Sequence, residues 1–234
     1  MILETGGTKV KGKLFVIESG VDASGKATQS EKLYKRLLAE GMNIKKITFP
    51  NYESQASALV KMYLNGDFGN KPDDVNPYTA STFYAVDRYA SYVKDWKTFL
   101  EDGGIIIADR YTTSNMVHQA SKFQTQKEKG IFLDWLWDLE FKKMELPIPD
   151  EVIFLNMSPE VSYQLMKNRM NKINGQMKKD IHERDFEYLK KTYENALWVA
   201  NKYHWKKIEC IKNQKLKSID EIHEEIYKIV KEKL

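Results

Sequence analysis

The chain has 234 residues, 42% of them hydrophobic, with 37 Lys and Arg against 33 Asp and Glu for a net charge of +4. It is too apolar for disorder and long enough for one large domain with a real core. Lysines and acids are interspersed, and no zinc-ligand spacing, aromatic RNA-binding signature or basic helix with heptads occurs, so no nucleic-acid partner is expected.

Residues 1–13 are polar and basic, with no apolar stretch that could act as a signal peptide, and lead into a first strand at Leu14–Ile17. The loop Gly20–Thr28 runs from there into a helix striped by Leu33, Leu37 and Leu38. Ile44–Phe49 reads as a second strand, followed by a helical stripe of Tyr84, Tyr89, Tyr92, Val93, Trp96 and Phe99. Ile105–Ala108 is a third strand, far too short to cross a membrane, so no membrane association is expected. Phe132, Trp135, Leu136 and Leu139 mark another helix, and Val152–Leu155 a fourth strand. The polar, basic stretch 171–187 breaks the pattern and is either a mobile lid or a plain surface loop. A fifth strand at Lys207–Ile211 and a helix striped by Ile219, Ile222, Ile226 and Val230 close the chain. Near-continuous apolar strands alternating with helices predict a three-layer α/β fold, a five-stranded parallel sheet flanked by helices, in one domain over 1–234. The lone Cys210 cannot form an intrachain disulfide, fits a reducing cytoplasm, and is expected simply to be buried.

The strongest local signal is Gly20-Val21-Asp22-Ala23-Ser24-Gly25-Lys26-Ala27-Thr28, between a predicted strand and a predicted helix. In that setting glycines let backbone N–H groups turn inward, and the helix adds its positive N-terminal end, so the segment predicts a phosphate-binding loop of the P-loop NTPase kind. Lys26 reaches the β- and γ-phosphates of ATP. The pattern asks for a hydroxyl directly after the lysine to hold Mg²⁺, but Ala27 stands there and Thr28 comes one place later. Mg²⁺ would then lean on waters, phosphate oxygens and an acid elsewhere, for which Asp109 is the candidate. Asp22 is an acid inside the loop: it either has a task at the nucleotide or faces solvent.

Asp109-Arg110-Tyr111 sits at the carboxyl end of the third strand, where ligands of open parallel sheets bind. Its Arg can grip an acceptor phosphate, or the two charges can form a structural pair. Tyr84 and Arg88 are four apart and project to one side of their helix, suiting a flat base with carbonyl oxygens. Alone, such a pair also fits core edge plus surface charge.

These motifs in this order resemble the thymidylate kinase family of P-loop nucleoside-monophosphate kinases, from about Leu14 to Ala200. The likeness rests on the loop, Phe49-Pro50, the segment Tyr84–Arg88, Asp109-Arg110-Tyr111 with Ser114, Asn115 and Gln119, Pro149-Asp150, Ser158–Val161, and Asp180–Glu183 with Tyr188-Leu189. The resemblance implies transfer of the γ-phosphoryl of ATP to dTMP, with Mg²⁺, by a homodimer. It places ATP on Gly20, Ala23, Ser24, Gly25, Lys26, Ala27 and Thr28, with Arg169 on adenine. Asp22 would meet the deoxyribose 3′-hydroxyl, Tyr84 would stack on thymine beside Phe49, and Arg88 would bond O4. Ser114 and Asn115 would line the base edge and Arg110 would grip the acceptor phosphate. Lys26, Arg110, Asp109 and Asp22 are thus the expected catalytic set, closed over by lid cations such as Lys178, Lys179 or Arg184. The chain departs from the family at Ala27, at Asn51 and Tyr52 where an arginine is usual, and at His118 where Tyr or Phe is common beside the base. On the residues alone, a deoxynucleoside kinase and a non-catalytic nucleotide-binding protein stay open.

Overall fold

The computed structural model describes residues 11–69, 71–172 and 186–234. Strands β1 (Lys13–Ser19), β2 (Ile44–Thr48), β3 (Ile105–Asp109), β4 (Glu151–Asn156) and β5 (Lys206–Glu209) form one sheet in the order β2-β3-β1-β4-β5. Every pairing in it is parallel. Helices α1 (Lys26–Ala39), α2 (Ala58–Asn65), α3 (Pro77–Ser91), α4 (Lys97–Glu101), α5 (Thr112–His118), α6 (Gln126–Trp137), α7 (Pro159–Lys172), α8 (Phe186–Lys202) and α9 (Ile219–Lys231) connect and cover it. A two-stranded ribbon of β6 (Ile211–Lys212) and β7 (Lys215–Leu216), turned through Asn213 and Gln214 at positive φ, precedes α9. The five apolar runs are therefore the five sheet strands, within one or two residues at each end.

Alternation along the strands makes two cores. Leu14, Val16, Ile106, Ala108, Val152 and Phe154 face Met116, Phe132, Leu136, Ala196 and Val199 on one side. Phe15, Ile17, Ile107, Ile153 and Leu155 face Leu33, Leu37, Ile222, Ile226 and Val230 on the other. Both faces are covered, which is why the strands read as continuous apolar runs. Helix starts follow local chemistry: Asn76 caps α3 ahead of Pro77, and Thr125–Glu128 and Ser218–Glu221 form reciprocal capping boxes. Three stripes are narrower than their periodicity predicts. Leu38 and Ile219 are exposed, and so are Tyr89 and Val93, because only Tyr92 and Trp96 turn inward where α3 passes into a π-helical turn at Tyr92–Trp96. No helix among the described residues is long and apolar enough to cross a membrane.

The carboxyl ends of β1 and β3 lie side by side, with Ile17 opposite Asp109. The chain leaves β1 for β2 at one edge, and β3 for β4 across β1, so the ends of these two strands flank the crevice where such sheets bind ligands.

Candidate active site

The loop after β1 curls through Ala23 (φ 52°) and Gly25 (φ 92°) and enters α1 at Lys26. Gly25 provides no side-chain cap and the first turn of α1 holds no acid, so its amides remain available to an anion. Lys26 lies back along the loop, its Nζ donating to Ser19 Oγ (2.6 Å) and Val21 O (3.0 Å). Ser24 Oγ donates to the same Ser19 oxygen, whose own hydroxyl donates to Val21 O. Burial, then the nearby Arg110 cation, push Lys26 down to about 8 against the pull of Asp22, Glu18 and Asp109. An open cleft beside this loop is lined by Lys26, Ala27, Thr28, Asp109 and Arg110, with Leu165 and Ile219 as apolar walls. All loop residues expected at ATP apart from Gly20 line it; the side chain of Arg169 lies outside the described residues, as do Lys178, Lys179, Arg184 and the rest of 173–185 in the expected lid.

A second cleft, about 630 Å³ with its open mouth included, is lined by every residue expected to bind the acceptor. Phe49, whose peptide bond to Pro50 is cis, packs on Tyr111 with ring centroids 6.0 Å apart. Tyr84 is held edge-on by Tyr63. Arg88 is 1% exposed and is held along one edge by Glu140, through Nε (2.7 Å) and Nη2 (2.5 Å). Ser114 donates its proton to Glu18 (2.6 Å), which leaves its oxygen as an acceptor for a ligand N–H. Asn115 donates to Ser81 O (3.3 Å), tying α5 to α3.

Asp22 and Arg110 line both clefts. Arg110, at a φ of 69°, donates through Nη2 to Asp22 Oδ1 (2.5 Å), and its Nη1 lies 3.3 Å from His118 Nε2. Burial alone would raise the Asp22 carboxyl, but Arg110, Lys26 and His118 outweigh it and hold it well below the usual carboxylate range. Asp109 is nearly buried, and that burial raises its carboxyl in spite of Arg110 and Lys26. As a hard oxygen donor facing the phosphate loop it suits Mg²⁺, which commonly takes one or two carboxylates, waters and phosphate oxygens. No cluster of three or more His, Cys, Asp or Glu that could hold a metal alone occurs among the described residues.

Two acids at the site carry no expectation from the sequence. Glu18 is buried and accepts from Thr113 Oγ1, Ser114 Oγ and its neighbour's Ser19 N. Glu140 is buried on the π-helical turn Asp138–Lys143 that extends α6. The signal for both is an acid where the apolar pattern demands burial: Glu18 continues a strand run, and Glu140 falls four residues after Leu136 on the inward stripe. Asn51, where the resemblance leads one to expect an arginine, instead donates its backbone N–H to Asp87 (2.8 Å).

A thymidylate kinase from Mycobacterium tuberculosis is 31% identical over 180 residues, covering 76% of this chain and 81% of that one. A probable thymidylate kinase from Thermococcus gammatolerans is 27% identical over 223 residues, covering 94% and 97%. The solved thymidylate kinase of Candida albicans superposes with a TM-score of 0.65 at 21% identity over 95% of this chain and 92% of that one, a likeness of fold. The family model described as thymidylate kinase matches residues 17–226, and the chain belongs to that family.

Proposed function

We propose that the protein transfers the γ-phosphoryl group of ATP to dTMP, giving dTDP and ADP. One observation carries this reading: a phosphate-loop cleft and a base-sized cleft meet at Asp22 and Arg110, so a donor in one and an acceptor in the other bring their phosphates together. Family membership supplies the substrates, ATP as donor and thymidylate as acceptor.

An oxygen of the acceptor phosphate attacks the γ-phosphorus as the β–γ bridging oxygen leaves with ADP. The protein's part is positioning and charge stabilisation. Lys26 moves from its resting bonds to the transferring phosphoryl group, and the amides between Gly20 and Thr28 hold the β-phosphate. Arg110 aligns the acceptor phosphate, Tyr84 and Phe49 hold the base, and Asp22 takes the sugar hydroxyl. Ser114, Asn115, Arg88 and His118 complete the base edge. Mg²⁺, when bound, neutralises charge on the phosphate oxygens, and Asp109 is the residue that would hold it, directly or through water. Arg169 is proposed for the adenine face.

A homodimer belongs to the same proposal. Val86, Tyr89 and Val93 are 47%, 46% and 50% exposed along one side of α3 and its extension, an apolar stripe that a second copy would cover. A cytoplasmic setting is supported by Cys210, buried with its thiol pushed up to about 12 and engaged in no disulfide.

The decisive assay is ADP release from ATP and Mg²⁺ over all common nucleoside monophosphates, with thymidine as a separate acceptor. Fastest turnover with dTMP is expected. Faster turnover with bare thymidine would make the protein a nucleoside kinase, and tight ATP binding with no turnover on any acceptor would make it a non-catalytic binder.

A further inference from the structure

Glu140 is a wholly buried acid that none of the chemistry above uses. Its carboxylate takes two parallel bonds from the Nε–Nη2 edge of Arg88, and Thr112 Oγ1 donates to its Oε2 at 2.7 Å. Three separate elements meet there: α3, the start of α5, and the π-helical turn after α6. A buried ion pair is poor evidence of stabilisation, because apolar side chains of the same volume commonly do as well or better. Stability alone therefore does not account for a charged pair at this position, whereas the cleft does. Arg88 lines the acceptor cleft, and among the described residues its Nη1 has no hydrogen-bond partner.

A guanidinium is planar and only donates. With one edge fixed on Glu140, the opposite edge cannot turn, and it presents N–H groups at a set place on the cleft wall. A carbonyl oxygen is welcome there. An amino group meets donor against donor, and a buried mismatch of that kind discriminates strongly. Thr112 adds a second constraint. It stands two residues after Arg110, so one carboxylate ties the base-reading arginine to the turn that carries the phosphate-gripping one.

We propose that Glu140 is a positioning residue for acceptor choice: it locks Arg88 so that the cleft selects a pyrimidine bearing a carbonyl at that edge over one bearing an amino group. The inference rests on the proposed acceptor. It is tested by steady-state kinetics of Glu140→Asp, Glu140→Gln and Thr112→Val with dTMP and with dCMP, each below its melting temperature. Glu140→Asp keeps the charge and shortens the stem by one methylene, drawing the fork out of place. Its KM for dTMP should rise about tenfold with kcat within about threefold and KM for ATP unchanged, narrowing the preference over dCMP. Glu140→Gln should move the same way. Thr112→Val removes only a hydroxyl, should raise the same KM by about threefold, and decides the matter if neither Glu140 variant folds. Folded variants that melt lower but keep the wild-type KM and preference would reduce Glu140 to a structural clamp and overturn the inference alone. A wild-type protein indifferent to dTMP would sink the proposed acceptor, and this inference with it.

Discussion

Arg110 and Asp22 are bound to each other across the ridge between the two clefts, one from the end of β3 and one from the loop after β1. Each is the other's countercharge while no substrate is present. Asp22 stays ionised far into acid, so the pair's contribution to stability is complete above the ordinary carboxylate value of about 4 and is lost as pH falls below it towards the lower folded value. In the proposed reaction an acceptor phosphate would take over part of the Arg110 fork, freeing Asp22 for a sugar hydroxyl.

Substitution Arg110→Lys separates charge from geometry. Lysine keeps the cation but cannot meet Asp22 and His118 with two edges at once, nor grip a phosphate bidentately. The KM for dTMP should rise by about 10- to 100-fold, matching the loss of a charged hydrogen bond of about 1.5–3 kcal/mol. KM for ATP should move far less. Equal changes in both constants would mean that Arg110 serves the loop rather than the acceptor.

Lys26 is expected to set the alkaline limit. Burial and Arg110 bring it down to about 8 in the protein without nucleotide, so it loses its proton, and its attraction for phosphate, above that pH. The ratio kcat/KM for ATP reports the free enzyme and should fall above about pH 8 with the slope of one proton. Bound phosphates favour the charged form, so kcat should hold to higher pH. Lys26→Ala should lower turnover by at least about a thousandfold while the protein still melts cooperatively. Near-normal activity in that variant would remove the phosphate-cradle role.

The fold was legible because burial on both faces leaves short, wholly apolar runs bounded by polar segments: Leu14–Ile17 and Ile105–Ala108 are apolar at every position, and the sheet places them side by side. The loop was legible for the opposite reason, its glycines and lysine being a local chemistry that needs no partner elsewhere. What pairs with what was not legible. Nothing in the spacing of Arg88 and Glu140, 52 residues apart, or of Asp22 and Arg110, 88 apart, announces a contact, since long-range pairs depend on how whole elements pack. The outward turn of Val93 was hidden for a local reason: the π-helical turn Tyr92–Trp96 shifts the stripe without altering composition.

Gly20 tests the seat of the loop against α8. A Cβ there would stand 2.8 Å from the Ala196 Cβ and 3.1 Å from the Tyr193 Cα, atoms fixed to a helix backbone. Gly20→Ala should therefore destabilise by about 1–3 kcal/mol through overpacking, read as a lower urea midpoint with unchanged slope. Gly25→Ala meets no neighbour, but its φ of 92° strains any side chain, so a smaller loss is expected there. A Gly20→Ala protein as stable as the parent would mean that α8 yields at no cost.

The α3 stripe predicts an assembly. Tyr89→Lys places a charge on a face that is exposed in one chain, so the monomer should fold normally. In a dimer the same charge would be buried without a partner, and sedimentation should shift to the monomer mass. A variant that sediments like the parent would put the interface elsewhere.

Ala27 carries the last test. It is exposed at the start of α1, beside the loop and in the same cleft as Asp109, so a hydroxyl can be added without displacing a neighbour. Serine costs only a few tenths of a kcal/mol in helix propensity at such a position. Its oxygen would join the Mg²⁺ shell for which Asp109, water and phosphate oxygens are the proposed ligands. Ala27→Ser should lower the Mg²⁺ concentration for half-maximal rate by about three- to tenfold, the worth of one added polar contact, and leave the KM for dTMP unchanged. If instead the Mg²⁺ dependence stays fixed while Asp109→Asn raises it, the metal sits on the β3 side of the phosphates and the missing hydroxyl costs this enzyme nothing.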